Sequence, residues 1–527
     1  WGAAMDRRRY HADGRAVAIA TPHEAATHAG MQAFDAGGSA ADAAIAANAV
    51  LAVVYPHMCG IGGDFFAIVA DGGSRVAING SGAAALALDA ATVARSHPAM
   101  PAFGPLSISV PGTVAAWGTI IERYGRLPFA NAIKPAIHFA EAGAPVASSL
   151  ARSIRTHGQR LQADRGLSET FFRGNAPLDA GDNLRQPALA ETMRAIEADG
   201  AGAFYRGPLA ARLIKGLQQA DSPLTMEDFS RHVTEVVSPL ARSYRGLEVL
   251  VTPPNSQGFV LEEILSAIEA GSLEPDHLGS QAATIARLFM LASADRDRLN
   301  ADPRGSPPPI DKLLGSGHIR ELVEAAQSSP APGVLGHAAT GDTVGIVAAE
   351  AGGLWVSINQ SLYDAFGSGF LEPSTGVLFH NRGSAFALDP SSPNRLEGGR
   401  RPAHTLMPVM VLEHSEPRIA SATMGRSAHA QIHAELLMSV IDQHRDAFVA
   451  VDRPRWLAGG LRADAGVVAE KRVPQKVFDA FTAAGIRVDP VGDWDEQVGH
   501  SQLIALNDDG ILQAASDPRA DGAAAAR

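Results

Sequence analysis

The stretch that decides the fold reads Thr343-Val344-Gly345-Ile346-Val347-Ala348-Ala349-Glu350-Ala351-Gly352-Gly353-Leu354-Trp355-Val356-Ser357-Ile358-Asn359-Gln360-Ser361. Two strand-like runs, 343–349 and 354–360, flank a tight Glu350-Ala351-Gly352-Gly353 connection. That arrangement predicts a β-hairpin. Partner residues in an antiparallel pair have numbers that sum to a constant. Folding the arms about the turn sets Thr343 opposite Gln360 or Ser361, according to the turn register. With Ser361 as partner, two hydroxyls become neighbours at one end of the hairpin.

Immediately upstream, 328–341 is rich in Ser, Pro, Ala and Gly and reads as a mobile linker, which we bound at 328–342. Further back, 111–324 is mostly helical, with a strand over 247–252 and a helix over 260–270. At the start, a short apolar strand over 17–20 precedes an Ala-rich helix over 24–36 and a second helix over 40–54. The run Gly60-Ile61-Gly62-Gly63-Asp64 then leads into a buried strand over 65–69.

Composition narrows the function classes. Hydrophobic residues make up 46% and charged residues 19%, enough apolar material for a large core. The net charge of −12 and the lack of a basic stripe argue against a nucleic-acid partner. With one cysteine, Cys59, neither an intrachain disulfide nor a zinc site built on thiolates is available. No apolar run is long enough to span a membrane. No apolar segment follows the basic residues near the start, so a secretory signal is not expected, and the expected location is cytoplasmic.

Read from the residues alone, the chemistry has several openings. There is no Gly-x-Ser-x-Gly elbow, no His-Glu-x-x-His and no phosphate-loop lysine. Gly60 to Asp64 reads as a tight turn, with an anion cradle as its alternative. Cys59 reads as an inert buried thiol, with nucleophile as the alternative. His57 and His404 are either general bases or hydrogen-bonded structural residues.

An ordered set of motifs changes the balance. Thr343 opens a strand that Glu350 ends. Gln360-Ser361-Leu362, Phe366-Gly367-Ser368-Gly369, Thr375-Gly376-Val377, Asn381, Pro402 and Pro408 follow. Upstream stand Thr21-Pro22-His23, Ala36-Gly37-Gly38, Val110-Pro111-Gly112-Thr113, Tyr244-Arg245-Gly246, Pro253-Pro254 and Ala294-Asp295-Arg296. Together they resemble the gamma-glutamyltranspeptidase family of N-terminal nucleophile hydrolases over nearly the whole chain.

The resemblance implies an α+β fold, a four-layer αββα sandwich. It implies self-cleavage between Asp342 and Thr343 into a large subunit, 1–342, and a small catalytic subunit, 343–527, folded as one unit. Thr343 is then the nucleophile, with its own freed α-amine as base. Ser361 supplies the second hydroxyl the family places 18 residues on. Successive backbone N–H groups at Gly425 and Arg426 match its oxyanion hole, although Arg426 stands where the family has glycine. No metal or organic cofactor is expected. The expected partners are a small amide substrate, the two subunits of one precursor, and a second copy forming a homodimer of the processed heterodimer.

The family's grip on a glutamyl head is altered here. The arginine position falls near Gly80, the aspartate on Ala385, an asparagine on Tyr363 and a pair of serines on His404-Thr405. Ser361-Leu362-Tyr363, 380–386, 404–406 and 516–522 are similar instead to the branch that includes oxamate amidohydrolase. Tyr363, Asn381, Arg382, His404 and Thr405 become the expected substrate-binding residues, with the Arg382 guanidinium as carboxylate clamp or, alternatively, as part of a structural ion pair. The expected activity is hydrolysis of a small carboxylate amide such as oxamate. The alternatives are a gamma-glutamyl hydrolase or transferase with a remodelled site, and an unprocessed, non-catalytic binding protein.

Overall fold

The computed structural model describes residues 7–328, 342–459 and 466–527. Of the linker expected over 328–342, only Ser328 and Asp342 fall within these residues. Two seven-stranded sheets lie face to face. The first runs, in spatial order, Ala523–Ala526, Val17–Thr21, Asp342–Glu350, Trp355–Tyr363, Asp64–Asp71, Ser74–Gly80 and Glu235–Val237. The second runs His11–Gly14, Leu512–Ser516, His500–Leu506, Glu416–Met424, Val409–Glu413, Leu247–Val251 and Leu240–Tyr244. Residues on both sides of Asp342 contribute strands to both sheets, so the two parts of the chain share one core.

Helices cover the outer faces and complete the αββα sandwich. Against the first sheet lies Ala40–Val54, buried along all of its 15 residues. A helix apolar on every side belongs inside a core. Ser39 starts it with a capping box: its hydroxyl accepts from the Asp42 N–H, and the Asp42 carboxylate accepts from the Ser39 N–H at 2.8 Å. Against the second sheet lie Gly258–Ala270, Ala282–Leu299 and His429–Leu437.

Between the sheets small and large side chains alternate. Ala18, Ala20, Ala70, Val347, Ala349, Ala420, Ala422 and Ala514 pack among Ile68, Leu250, Trp355, Met410, Leu412, Ile504 and Leu512. Small residues bring the backbones close. A Cβ on Gly345 would stand 2.6 Å from the Ala422 carbonyl oxygen.

The predicted hairpin forms from Asp342–Glu350 and Trp355–Tyr363. Its turn end is anchored by Glu350, whose carboxylate accepts from the Ala40 N–H at 2.8 Å, at the positive end of the buried helix. Of the two registers the turn allowed, the structure adopts Thr343 opposite Ser361.

Candidate active site

The pairing of the hairpin is regular from Ala349 and Trp355 down to Thr343 and Ser361. There a bulge intervenes, so that Asp342 lies opposite Tyr363 rather than Leu362. A bulge re-aims the backbone at the end of a strand. Here the Asp342 carbonyl accepts from Ser361 Oγ at 2.5 Å. The same Oγ accepts from Thr343 Oγ1 at 3.0 Å and from the Tyr363 N–H at 2.8 Å. Both hydroxyl-bearing residues are 3% exposed, shielded from competing water.

Alternation along the hairpin places this pair at the end of the seam between the sheets. Odd-numbered Val347, Ala349 and Trp355 point into the inter-sheet layer, so Thr343 and Ser361 do too. Ser357 Oγ donates to the Ser421 carbonyl across the seam, and Asn359 Nδ2 to the Thr423 carbonyl, both at 2.8 Å. One further step of two residues on each strand brings Ser361 level with Gly425. Gly425 directly follows the last residue of the facing strand, Met424, and caps a short 3-10 turn, Arg426–Ala428. The Gly425-Arg426 backbone therefore lies across the seam from the hydroxyl pair.

Asp64 stands opposite Ser361 on the next strand, which makes a row of Thr343, Ser361 and Asp64 across three strands. Its carboxylate accepts from His404 Nε2 at 3.0 Å and from the Gly82 N–H at 3.2 Å. Burial works to raise the Asp64 pKa, but the neighbouring His380, the His404 hydrogen bond and the Gly82 N–H outweigh it and hold the carboxyl below its usual range. His404 Nδ1 meanwhile accepts from the Leu406 N–H at 3.2 Å. With both ring nitrogens engaged and burial pushing its pKa down to about 4, His404 is a neutral structural residue and not a general base. The His380 ring is fixed in position, Nε2 donating to the Ser109 carbonyl at 2.9 Å and Nδ1 accepting from the Arg382 N–H at 3.2 Å.

A cavity of about 370 Å³ opens beside this row, lined among others by Tyr363, Arg382, His404, Thr405, Arg296 and Ser427. Arg382 is 3% exposed. Its guanidinium lies 4.1 Å from the centre of the Tyr363 ring, donates through Nε to the Ala403 carbonyl at 2.9 Å and through Nη1 to Thr405 Oγ1 at 3.3 Å, and also binds Ala403 through Nη2. A guanidinium has five N–H groups, so two remain for an anion in the cavity. Arg296, which carried no assigned role in the sequence, is a second cation on this wall. It is tied to the Ser427 carbonyl at 2.7 Å and to Asp297, the one carboxylate of the lining, also at 2.7 Å.

Other expectations separate here. Asn381 does not line the cavity; its amide is spent on Asp364 and on the Ala102 carbonyl, 2.7 Å in each case. Its order in the motif gave no sign of this, because the partner at 102 comes from a distant loop. His57 fits neither expectation: it is buried, neither ring nitrogen has a hydrogen-bond partner among the described residues, and burial holds its pKa well down. The Cys59 thiol is buried and raised well above its usual pKa by desolvation, as an inert thiol should be. The Gly60–Asp64 run is a packed turn. A Cβ on Gly63 would meet the Ser361 carbonyl at 2.4 Å, and one on Gly62 the Leu378 carbonyl at 2.3 Å. Near Gly80 there is no room for an arginine, since even a Cβ would come within 2.9 Å of Ala116.

Residues 26–527 match the gamma-glutamyltranspeptidase family. The chain is 35% identical over 520 residues to the glutathione hydrolase-like YwrD proenzyme of Bacillus subtilis, covering 96% of this chain and 97% of that one. It is also 35% identical over 524 residues to the oxamate amidohydrolase proenzyme of Klebsiella pneumoniae, covering 97% and 98%. The crystal structure of the cephalosporin acylase from Bacillus halodurans superposes with a TM-score of 0.92 at 30% identity, covering 100% of this chain and 98% of that one.

Proposed function

This chain belongs to the gamma-glutamyltranspeptidase family of self-processing N-terminal nucleophile hydrolases, and from that premise we propose that it cuts its Asp342-Thr343 bond and then uses Thr343 to hydrolyse a small carboxylate amide, oxamate being the leading candidate. The cut divides it into chains 1–342 and 343–527. The hydroxyl pair supports this reading for the first step. Thr343 Oγ1 attacks the Asp342 carbonyl carbon while its proton passes to Ser361 Oγ. Ser361 passes its own proton to the carbonyl oxygen as that oxygen gains charge, along the two hydrogen bonds of 3.0 and 2.5 Å. As the tetrahedral centre collapses, its hydroxyl proton passes to the Thr343 nitrogen, the C–N bond breaks, and an ester is left on Thr343 with a free α-amine. Water then hydrolyses the ester.

In turnover, the α-amine takes the Thr343 proton, its ordinary pKa of about 7.7–8.0 suiting a base near neutrality. The substrate carbonyl sits between Thr343 and the Gly425-Arg426 backbone, whose N–H groups stabilise the oxyanion. The same proton goes to the leaving amine, and water, deprotonated by the α-amine, then hydrolyses the acyl ester, releasing the acid and restoring the Thr343 hydroxyl. No step calls on a metal.

The observation that carries the substrate class is the charge of the cavity. Arg382 and Arg296 face it, against one carboxylate, Asp297, which already pairs with Arg296. An anionic amide gains a fork-shaped donor there. A substrate ammonium finds Ala385 where the family has an aspartate, and an unpaired buried charge is costly. The second reading, a gamma-glutamyl hydrolase, has Asp297 and the YwrD relative in its favour.

One comparison decides between them: ammonia released from oxamate against aniline released from a gamma-glutamyl anilide. We expect kcat/KM for oxamate to be higher by at least ~100-fold. Ready turnover of the anilide with oxamate untouched would overturn the substrate and leave the Thr343 chemistry standing. Thr343→Ala is expected to stay as one chain, whereas the wild type yields pieces of about 35 and about 19 kDa. Complete processing of Thr343→Ala would overturn the cleavage chemistry.

A further inference from the structure

Behind the substrate cavity three helices meet: Gly258–Ala270, Ala282–Leu299 and Ser316–Gln327. Each sends one side chain into the space between them. Glu263 comes from the first, Asp295 from the second and His318 from the third, with their oxygen and nitrogen atoms all within 4.8 Å of one another. We propose that Glu263, Asp295 and His318 form a site for one divalent transition-metal ion, zinc being the first candidate, which braces these three helices against the back of the substrate cavity.

The first ground is geometric. Four ligands at zinc-bond lengths of about 2.0–2.2 Å lie on a tetrahedron whose edges are about 3.3–3.6 Å. His318 Nε2 stands 3.4 Å from Glu263 Oε1 and 3.0 Å from Asp295 Oδ2. The two carboxylates lie within 4.8 Å of each other, so shifts of no more than about 1.5 Å along any edge bring the three onto one face of such a tetrahedron, with water at the fourth corner.

The second ground is independent of the clustering. The Glu263 side chain is fully buried, and among the described residues neither of its carboxyl oxygens has a hydrogen-bond partner. Buried carboxyl oxygens nearly always have one, and an orphan of this kind is a sign of a missing ion or water. Here the orphan points at an imidazole nitrogen with a second carboxylate behind it. Asp295 shows a further feature of metal ligands. Its Oδ1 is held by Arg298 at 2.6 Å, which orients Oδ2 towards the cluster. His318 is 16% exposed and gives the ion a route in from solvent.

The donor set selects the class of ion. One imidazole nitrogen and two carboxylates suit zinc and its neighbours. Calcium takes six to eight oxygens, and too few are present here. Binding transfers no electrons. The N–H of the neutral His318 ring moves from Nε2 to Nδ1, freeing Nε2 for the ion, and any proton on Glu263 leaves to solvent.

The site stands one residue from the cavity, since Arg296 follows Asp295 and lines it. The helix bearing Glu263 also starts at Gln257, whose amide donates to the Thr405 carbonyl at 2.7 Å. The ion therefore supports the wall that holds the substrate and takes no part in bond breaking. Its test does not depend on which substrate is turned over.

The full-length protein, stripped with a chelator and passed through a desalting column, is titrated with zinc chloride. Zinc retained after a second column is then measured alongside the melting temperature. We expect about one equivalent per chain and, at zinc about 100-fold above Kd, a rise in Tm of about 2–3 °C. Glu263→Gln keeps the shape without the charge, and His318→Ala changes a partly exposed residue; each is expected to lose that equivalent and the Tm rise. Retention below about half an equivalent by the wild type, or wild-type retention by the well-folded Glu263→Gln protein, overturns the proposal.

Discussion

Ser361 Oγ makes three hydrogen bonds, two accepted and one donated, which is all that a hydroxyl offers. Removing it takes away the proton relay between Thr343 and the Asp342 carbonyl while leaving the nucleophile in place. Ser361→Ala should therefore slow self-cleavage and turnover by ~10- to 1000-fold, the range for losing a polar group beside a nucleophile or oxyanion. The time course of chain cutting on a denaturing gel measures the first. Cutting at the wild-type rate would remove Ser361 from the mechanism. Arg382 acts at the other end of the substrate. Its Nε and Nη groups fasten it to Ala403 and Thr405, so its orientation is set before substrate arrives. Arg382→Lys keeps the charge and loses the fork. We expect it to raise KM for an acid amide by about 10-fold or more with a smaller change in kcat. An unchanged KM would show that Arg382 does not hold the carboxylate.

The hairpin is the element on which the catalytic geometry rests. Three contacts locate it: Glu350 at the Ala40 helix start, Asn359 on the facing Thr423 carbonyl, and Gly345 against Ala422. The last leaves no space for a side chain. Gly345→Val would force the two sheets apart next to Thr343, and overpacking of this kind costs about 1–3 kcal/mol. Gly353 sits on the same hairpin at its turn, where a Cβ would meet only the Glu350 side chain at 3.2 Å. The expected outcome is a lower urea midpoint and slower self-cleavage for Gly345→Val, with Gly353→Ala close to wild type in both. Equal effects from the two substitutions would show that the seam does not control the cleavage geometry.

Across the whole molecule, burial of imidazoles sets the response to acid. His57, His277, His404, His429, His433 and His500 are all buried, and desolvation depresses every one of them, His277 and His433 to about 3 and His404 and His500 to about 4. Each is neutral in the folded state and binds a proton in the unfolded chain below about pH 6.5. Stability from these groups is therefore present above pH 6.5 and is lost as pH falls towards their folded values. Glu262 and Glu435 pull the other way, because burial keeps them protonated when folded. Their stabilisation fades as pH rises above about 4.5, the unfolded value. Between pH 4.5 and 6.5 the histidines outnumber them and prevail. Calorimetry should show Tm falling by about 2–4 °C from pH 7.0 to pH 5.5. A flat or rising Tm over that interval would mean that the histidines are not held neutral.

The sequence by itself determined the hairpin, its turn and the pairing of Thr343 with one of two residues, because alternation and turn chemistry act between neighbours along the chain. It also determined the buried helix Ala40–Val54, whose apolar run has no polar face. Among the described residues no helix is long and apolar enough to cross a membrane, in keeping with the absence of a long apolar run. Only the tertiary structure decided what surrounds the hydroxyl pair. Asp64 meets His404 across 340 positions, and Asn381 is consumed by Ala102 across 279. Arg296 reaches the cavity because its helix packs behind the second sheet. The bulge at Asp342 likewise has no local signal in the residues that form it. Periodicity records which face of an element is apolar, whereas the residues that meet at a site depend on how distant faces close over one another, and that closing is fixed by the packing of the whole core.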